Sequence, residues 1–177
     1  GITGVVQDPN RVPINQAAFT LPEAARAESG DVEPFYLVGR AIMPGYLSLI
    51  GVPILLGRDI EPADTAAFRA GAIPVVIGDD MARSLWGTGN PIGRRVEKVA
   101  AAADRMMLEV VGVYEAENDA LGHSQDNFTI FVPSDPRSTS PSASRYIMLR
   151  TSSSAETLMP VIRGVVRTEV PQAAITG

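Results

Sequence analysis

Apolar residues along this chain fall into short blocks separated by glycine and proline. Residues 35–43, FYLVGRAIM, form a strand pattern, and Pro44-Gly45 then opens a short helix that Gly51 closes just after its last turn. Residues 52–56 return as a strand. This succession of strand, helix and strand predicts a parallel pair joined by a right-handed crossover.

The other apolar blocks have the lengths and spacings of further short elements. They predict strands at residues 1–8, 18–21, 73–77, 94–99, 106–114, 128–132, 146–150 and 173–176, and helices at residues 61–70, 81–86 and 155–170. Strands and helices mixed in this way indicate an α+β fold.

Some of these elements carry further expectations. The strand at residues 18–21 should lie at a sheet edge, because prolines interrupt the chain on both sides of it. The strands at residues 94–99 and 106–114 should pair as an antiparallel hairpin. Apolar residues recur at helical spacing in the last helix and predict one buried face, made of Leu158, Ile162, Val165 and Val166.

Composition places the chain among ordinary soluble domains. It has 177 residues, 45% of them hydrophobic, a formal net charge of −5 and no cysteine. A domain of this length buries roughly two thirds of its unfolded surface, so its core needs neither disulfides nor a structural metal. The missing cysteine excludes thiolate catalysis, zinc ribbons, iron–sulfur clusters and disulfide frameworks.

Charge and hydropathy argue against two more classes. A pI of about 4.9, with Arg94-Arg95 as the only basic doublet, argues against a protein that neutralises a phosphate backbone. The longest apolar runs have four or five residues, whereas a membrane span needs about 20. Cytoplasm and periplasm both stay open as compartments, because a domain taken from a membrane protein carries neither leader nor anchor.

Nucleophilic and phosphate-binding chemistry have weak candidates. His123, the only histidine, shares one loop with Ser124 and Asp126, and loop neighbours seldom converge as a catalytic triad must. The glycine-rich stretch GTGNPIG, residues 87–93, leaves a helix and enters a strand, which is the reverse of a phosphate loop. A tight turn is therefore the better interpretation of this stretch.

Acidic residues are the remaining candidates, for a hard-metal site or a pair of glycosidase carboxylates. Neither partner histidines nor the spacing of a calcium loop accompanies them. We therefore interpret Asp79 or Asp80 as the N-cap of helix 81–86, and the other acidic residues as solvated charges. The acidic candidates are Asp79, Asp80, Glu115, Glu117, Asp119 and Asp126.

Trp86 and the pair Met106-Met107 raise the question of a ligand groove. A tryptophan that ends a short amphipathic helix is typically a core residue, and we interpret Trp86 in this way. Considered alone, the residues predict no catalytic group, no cofactor and no metal site.

Three ordered blocks resemble a known family, the periplasmic core domain of MacB-type ABC transporter permeases, which is related to the FtsX-like permeases. Tyr46-Leu47 stands where Tyr-Phe is common in the family, and the long helix and strand expected at its start are largely absent. The blocks are AIMPGYLSLIGVPILLGRDIEPAD (residues 41–64), PVVIGDDMARSLWGTGNPIGRRV (residues 74–96) and EVVGVYEAENDALGHSQDNFTIFVPSD (residues 109–135).

The resemblance implies two lobes. Residues 1–60 and 145–177 would form a porter-like α+β lobe of strand–helix–strand units, and residues 61–144 an inserted, strand-rich lobe. It also implies a set of signature residues, which we interpret as structural: Pro44, Gly45, Tyr46, Gly57, Arg58, Leu85, Trp86, Pro91, Gly93, Gly112 and Pro133.

In function, the resemblance implies a non-catalytic domain on the extracytoplasmic, periplasmic face of the bacterial cytoplasmic membrane. It would lie between two transmembrane helices of a dimeric permease and couple a cytoplasmic ATP-binding subunit or domain to export or extraction of a substrate. Some members also work with a periplasmic adaptor. Family substrates include macrolides, peptides and lipoproteins, and none of them can be read from these residues.

Two alternatives remain open. The chain could be an extracytoplasmic ligand- or peptide-binding module that is not coupled to transport, or a small hydrolase. Transmembrane helices on both sides of this segment in the parent gene would favour the permease. Activity that is lost when His123 or the acidic loop is changed would favour the hydrolase.

Overall fold

A computed structural model describes residues 3–7, 18–22, 33–69, 71–99, 106–116, 128–134, 146–150 and 154–169. The strands are β1 (Thr3–Gln7), β2 (Ala18–Thr20), β3 (Phe35–Ile42), β4 (Ile54–Gly57), β5 (Ala72–Gly78), β6 (Arg95–Lys98), β7 (Met107–Tyr114), β8 (Phe128–Pro133) and β9 (Tyr146–Arg150). The helices are α1 (Tyr46–Ile50), a 3₁₀ helix (Pro62–Arg69), α2 (Asp79–Trp86) and α3 (Ala155–Glu169). The predicted α+β class is confirmed.

Seven of these strands form one sheet, in the order β4-β7-β5-β8-β3-β2-β6. Because β6 also pairs with β7, six of the strands close into a ring. β4 lies outside the ring, beside the second half of β7. β1 and β9 form a separate two-stranded sheet.

The short strand β2 closes the ring. It pairs antiparallel with β3 through Ala18 and Phe19, and antiparallel with β6 through Phe19 and Thr20. The prediction of an edge strand at residues 18–21 is therefore wrong. The flanking prolines lie outside β2, so every amide of the strand is free to pair.

The strands on either side of α1 do not pair with each other. β3 pairs in parallel with β8, and β4 pairs antiparallel with β7, so β7, β5 and β8 lie between them. The predicted parallel pair is wrong, because a succession of elements does not determine which strands become neighbours. The predicted hairpin is confirmed, since β6 and β7 are antiparallel with Arg95 opposite Glu109.

Both ends of α1 follow the predicted glycine signals. Gly45 and Gly51 have φ values of 84° and 81°, the left-handed region that glycine adopts without strain. The amides of Gly51 and Val52 donate to the carbonyls of Ser48 and Leu47, at 3.3 and 2.9 Å. The last turn of this short helix is thereby satisfied in the manner predicted.

The cap of α2 differs from its prediction. Asp79 and Asp80 already lie in the first helical turn, and Gly78 occupies the N-cap without a side-chain hydrogen bond. Both carboxylates still lie at the positive end of the helix dipole. Gly87 ends the helix as predicted, and its amide donates to the carbonyl of Arg83 at 2.9 Å.

The core has two clusters. One takes alternate residues from all six strands of the ring and therefore fills its interior, where α2 adds Met81, Leu85 and Trp86. The other covers the opposite face of the same strands beneath α1. Its buried members are Ile42, Tyr46, Leu47, Leu49, Val52, Ile60, Val76, Tyr114, Ala116 and Phe131.

The predicted buried face of α3 is only partly present. Leu158 and Ile162 are half-buried, but Val165 is 57% exposed. Val161, which lies one turn before Val165, is 62% exposed. The side chain of Val166 lies outside the description. Helical spacing therefore identifies the apolar residues that can share a face, but it does not determine how many of them are buried.

Contacts divide the chain into two compact units, residues 5–147 and residues 1–4 with 148–177. The predicted lobes, residues 1–60 with 145–177 and residues 61–144, divide it differently. Strands from both predicted lobes share the seven-stranded sheet, because β3 and β4 pair with β8 and β7. The porter-like and inserted lobes therefore stay a prediction from the resemblance.

Candidate functional site

Two signature glycines allow β4 and β7 to approach closely. Gly57 lies directly opposite Gly112 in the sheet, and Gly57 has a φ of 73°. A Cβ atom at Gly112 would overlap the carbonyl oxygen of Arg58, and one at Gly57 would overlap that of Val111. The amide of Arg58 donates to the carbonyl of Val111 at 2.9 Å. We call Gly57, Arg58, Val111 and Gly112 the glycine crossing.

Arg58 leads from the glycine crossing to a buried carboxylate. Its guanidinium binds Asp64 with two hydrogen bonds, of 2.6 and 3.0 Å, and also donates to the carbonyl of Asp59 at 3.0 Å. Asp64 further accepts the amide hydrogen of Glu61 at 2.8 Å. Burial would raise the pKa of Asp64, but the bonds from Arg58 and Glu61 outweigh burial and hold this pKa below its ordinary value.

The turn between α2 and β6 packs onto β7, the strand that contains Gly112. Gly93 has a φ of 79° and donates its amide hydrogen to the carbonyl of Val110 at 2.8 Å. Pro91 accepts from the amide of Arg94 at 3.0 Å, and Asn90 accepts from the amide of Ile92 at 3.0 Å. The glycine-rich stretch is therefore a turn that leaves a helix and enters a strand, as predicted.

A second group of signature residues lies where the parallel strands β3 and β8 end. Pro44 and Gly45 precede α1, and Pro133 lies opposite Ile42 in the sheet. The ring of Tyr46 packs against that of Phe131, with centroids 6.3 Å apart. These residues lead the chain from the sheet into the helix that covers it.

Leu85 and Trp86 form the third group, on the buried side of α2. Trp86 is 9% exposed and packs in the core of the ring. Its indole Nε1 is buried and has no acceptor among the described residues. A buried donor without a partner carries a desolvation cost, so Trp86 is held there by its apolar contacts.

Two acidic candidates at the start of α2 have backbone partners. Asp79 accepts the amide hydrogen of Ala116 at 3.0 Å and forms an ion pair with Arg83. Asp80 accepts the amide hydrogen of Met81 at 2.7 Å. Asp79 thereby connects the start of α2 to the chain that leaves β7. Glu115 is exposed, as predicted for a solvated charge.

The other candidate groups are not brought together in the described part of the chain. His123, Ser124, Glu117, Asp119 and Asp126 lie outside it. Within it, no three His, Asp or Glu side chains are close enough to share a metal ion. Met106 is partly buried against the core of the ring.

Comparison with known proteins identifies the family. A family model described as the MacB-like periplasmic core domain matches residues 5–164. The chain belongs to this family. Among curated proteins, none matches the sequence significantly.

Solved structures with the same fold include the periplasmic region of MacB from Actinobacillus actinomycetemcomitans. It is 13% identical with a TM-score of 0.61, over 94% of this chain and 67% of that one. The extracellular domain of YknZ, a noncanonic ABC-type transporter from Gram-positive bacteria, is 19% identical with a TM-score of 0.54, over 89% of this chain and 68% of that one. None of the helices described for this MacB-like domain has the length and apolar character needed to cross a bilayer.

Sequence reasoning singled out Arg58 but missed its partner Asp64. The two residues are six positions apart, on either side of the start of the 3₁₀ helix. An arginine directly after a strand favours a nearby carboxylate as a partner, and Asp64 is an acidic residue in the first turn of the following helix. That combination was the available signal. The bond from Ala116 to Asp79 spans 37 positions and had no local signal.

Proposed function

We propose that this MacB-like domain is the non-catalytic extracytoplasmic part of an ABC transporter permease. It couples the ATP cycle of a cytoplasmic subunit or domain to export or extraction of a substrate on the outer side of the membrane. The parent protein supplies the flanking transmembrane helices, and two permease copies work together. A periplasmic adaptor is a further partner in part of the family.

The observation that carries this proposal is the family match over residues 5–164. The fold shared with the periplasmic region of MacB and the extracellular domain of YknZ supports it. The first is named as a periplasmic region, and the second as the extracellular domain of an ABC-type transporter.

The placement of the signature residues supports a mechanical role over a catalytic one. The glycine crossing, the turn at Gly93 and the start of α1 are all backbone features that set how strands and helices meet. The guanidinium of Arg58 is bound by Asp64 and Asp59, which accounts for three of its donors. Residues in such positions stabilise a rigid body that transmits displacement.

The proposal is tested by distances between the two copies in the reconstituted parent permease. The domain has no cysteine, so a spin label on Leu55→Cys, a 52% exposed position, is unique within it. The distance between the two labels should change when ATP replaces ADP, because coupled domains occupy more than one arrangement. An ATPase variant that binds ATP without hydrolysing it should hold one of these distances.

Tyr36→Cys, 54% exposed on β3, serves as a second label on the same compact unit. Both labels should report the same two states. Identical distances in every nucleotide state would contradict coupling. A static ligand- or peptide-binding module would then be the better account.

A further inference from the structure

The outer strand β4 exposes two neighbouring leucines. Leu55 and Leu56 are 52% and 46% exposed, and they are the only adjacent pair of exposed large apolar residues in the described part of the chain. β4 pairs with β7 on one side, and none of the described strands lies on its other side. Apolar residues on an open strand edge form a surface to which another extended chain can add.

This edge is held in place at both ends. At the end of β4, the amide of Arg58 donates to the carbonyl of Val111, and its guanidinium is bound by Asp64. At the start of β4, the amide of Glu115 donates to the carbonyl of Pro53 at 3.4 Å. A surface that is already ordered loses little conformational entropy when a partner binds to it.

The strand is short and irregular, which limits what can pair with it. β4 has four residues, and its register against β7 shifts between Ile54 and Leu56. Short and bulged edges do not template long sheets. The edge therefore fits one segment of a few residues rather than the edge of another sheet.

Both ends of β4 carry acidic side chains. Glu115 is exposed beside the start of the strand, and Glu61 is exposed just beyond its end, where Asp59 is half-buried. Arg58 lies at the same end, but Asp64 binds its guanidinium with two hydrogen bonds, whereas Glu61 approaches it only to 3.9 Å. The carboxylates at the two ends therefore attract a segment with a basic group at each end.

The same charges argue against a second copy of this chain as the partner. In an antiparallel pair of β4 strands, the end with Glu61 of one copy would lie beside the end with Glu115 of the other. In a parallel pair, each acidic end would lie beside its own counterpart. Like charges face each other in both arrangements, which disfavours the contact.

We propose that the edge of β4 binds a short extended segment of a partner protein, apolar in its middle and basic at both ends. The apolar middle covers Leu55 and Leu56, and the basic ends lie beside Glu115 and Glu61. Backbone hydrogen bonds along the edge give affinity, and the side chains give specificity. The inference goes beyond the proposed function, because it holds whether or not the domain is coupled to transport.

A designed peptide tests the surface. It has a lysine at each end with alternating valine and threonine between them, and its length is that of residues 53–59. In an amide chemical-shift titration of residues 1–177, the amides of β4 should shift with a Kd of about 0.1–1 mM, as expected of a small interface. The same peptide with glutamate at each end should bind about tenfold more weakly, because two attractions become two repulsions.

Paired variants test the residues. Leu55→Ser with Leu56→Ser should weaken binding of the lysine-ended peptide about tenfold, because less apolar surface is covered. Tyr36→Ser is the matched control, since Tyr36 is an equally exposed residue on β3, which has strand neighbours on both sides, and binding should not change. Glu61→Lys with Glu115→Lys should reverse the preference, so that the glutamate-ended peptide binds more tightly.

Three results would overturn the proposal. The first is no shift of the β4 amides at about 5 mM peptide. The second is equal binding of the two peptides, both to the parent chain and to the charge variant, whose substitutions lie at exposed positions and leave the fold intact. The third is a shift of the β4 amides with protein concentration alone, which would mean that a second copy covers the edge. None of these results depends on a transport assay, so the proposed function is judged separately.

Discussion

At the scale of single residues, the glycine crossing leaves no room for a side chain. A Cβ atom at Gly112 would meet the backbone of Arg58, which cannot turn aside as a flexible side chain can. We expect Gly112→Ala to lower the free energy of unfolding by about 1–3 kcal/mol, the range for overpacking. Gly164→Ala, in open space on α3, should raise it by up to about 1 kcal/mol. Urea unfolding measures both, and equal effects would contradict the close approach.

Residue-scale electrostatics predict a loss of stability in acid. Burial would raise the pKa of Asp64, but the hydrogen bonds from Arg58 and Glu61 outweigh burial and hold this pKa below its ordinary value. A carboxyl of this kind stabilises the fold above its unfolded pKa, about 3.9, and the contribution is lost as the pH falls through the folded pKa. Between about pH 5 and pH 2, the parent chain should therefore lose more stability than Asp64→Asn in urea unfolding.

Asp59 supplies the control of opposite sign. Burial raises its pKa, and the bond from the amide of Ile60 opposes this only in part. Its contribution is greatest below the unfolded pKa and is lost as the pH rises through the folded pKa. Asp59→Asn should therefore enlarge the loss in acid where Asp64→Asn reduces it. If both substitutions changed the loss of stability in acid in the same direction, the opposite pKa shifts of Asp59 and Asp64 would be contradicted.

At the scale of elements, Trp86 anchors α2 in the ring. Trp86→Ala should lower the free energy of unfolding by about 3–5 kcal/mol, the range for a large core truncation. Trp86→Phe keeps most of the apolar contacts and removes a buried donor that has no acceptor among the described residues. It should cost less than about 1.5 kcal/mol. Guanidinium unfolding separates the two, and an alanine variant as stable as the parent would place Trp86 at the surface.

The elements themselves were predictable where their signals are local. Gly51 ends α1 and Gly87 ends α2, as predicted, and apolar runs predicted β5, β7 and β8. Strand neighbours were not predictable in the same way. β2 has three residues, yet it closes the ring by pairing on both edges, which depends on partners far along the chain. The glycine crossing likewise depends on residues far apart in the sequence, because Gly57 lies opposite Gly112.

At the scale of the whole molecule, the two compact units differ in what holds them together. Among the residues that the structure describes, both core clusters lie in residues 5–147, whereas residues 1–4 with 148–177 contain α3, on which Val161 and Val165 are exposed. Regions with few buried apolar contacts open at lower free energy than the core. We therefore expect amides of α3 to exchange at least about 100-fold faster than those of β5 and β7.

Hydrogen exchange followed by mass spectrometry checks this difference. Gly112→Ala should then speed exchange in β7 by lowering the stability of the larger unit, and leave exchange in α3 almost unchanged. That pattern follows only if the smaller unit opens without the larger one. Equal protection of α3 and β7, or a matching acceleration of both in Gly112→Ala, would mean that the chain opens as one cooperative body.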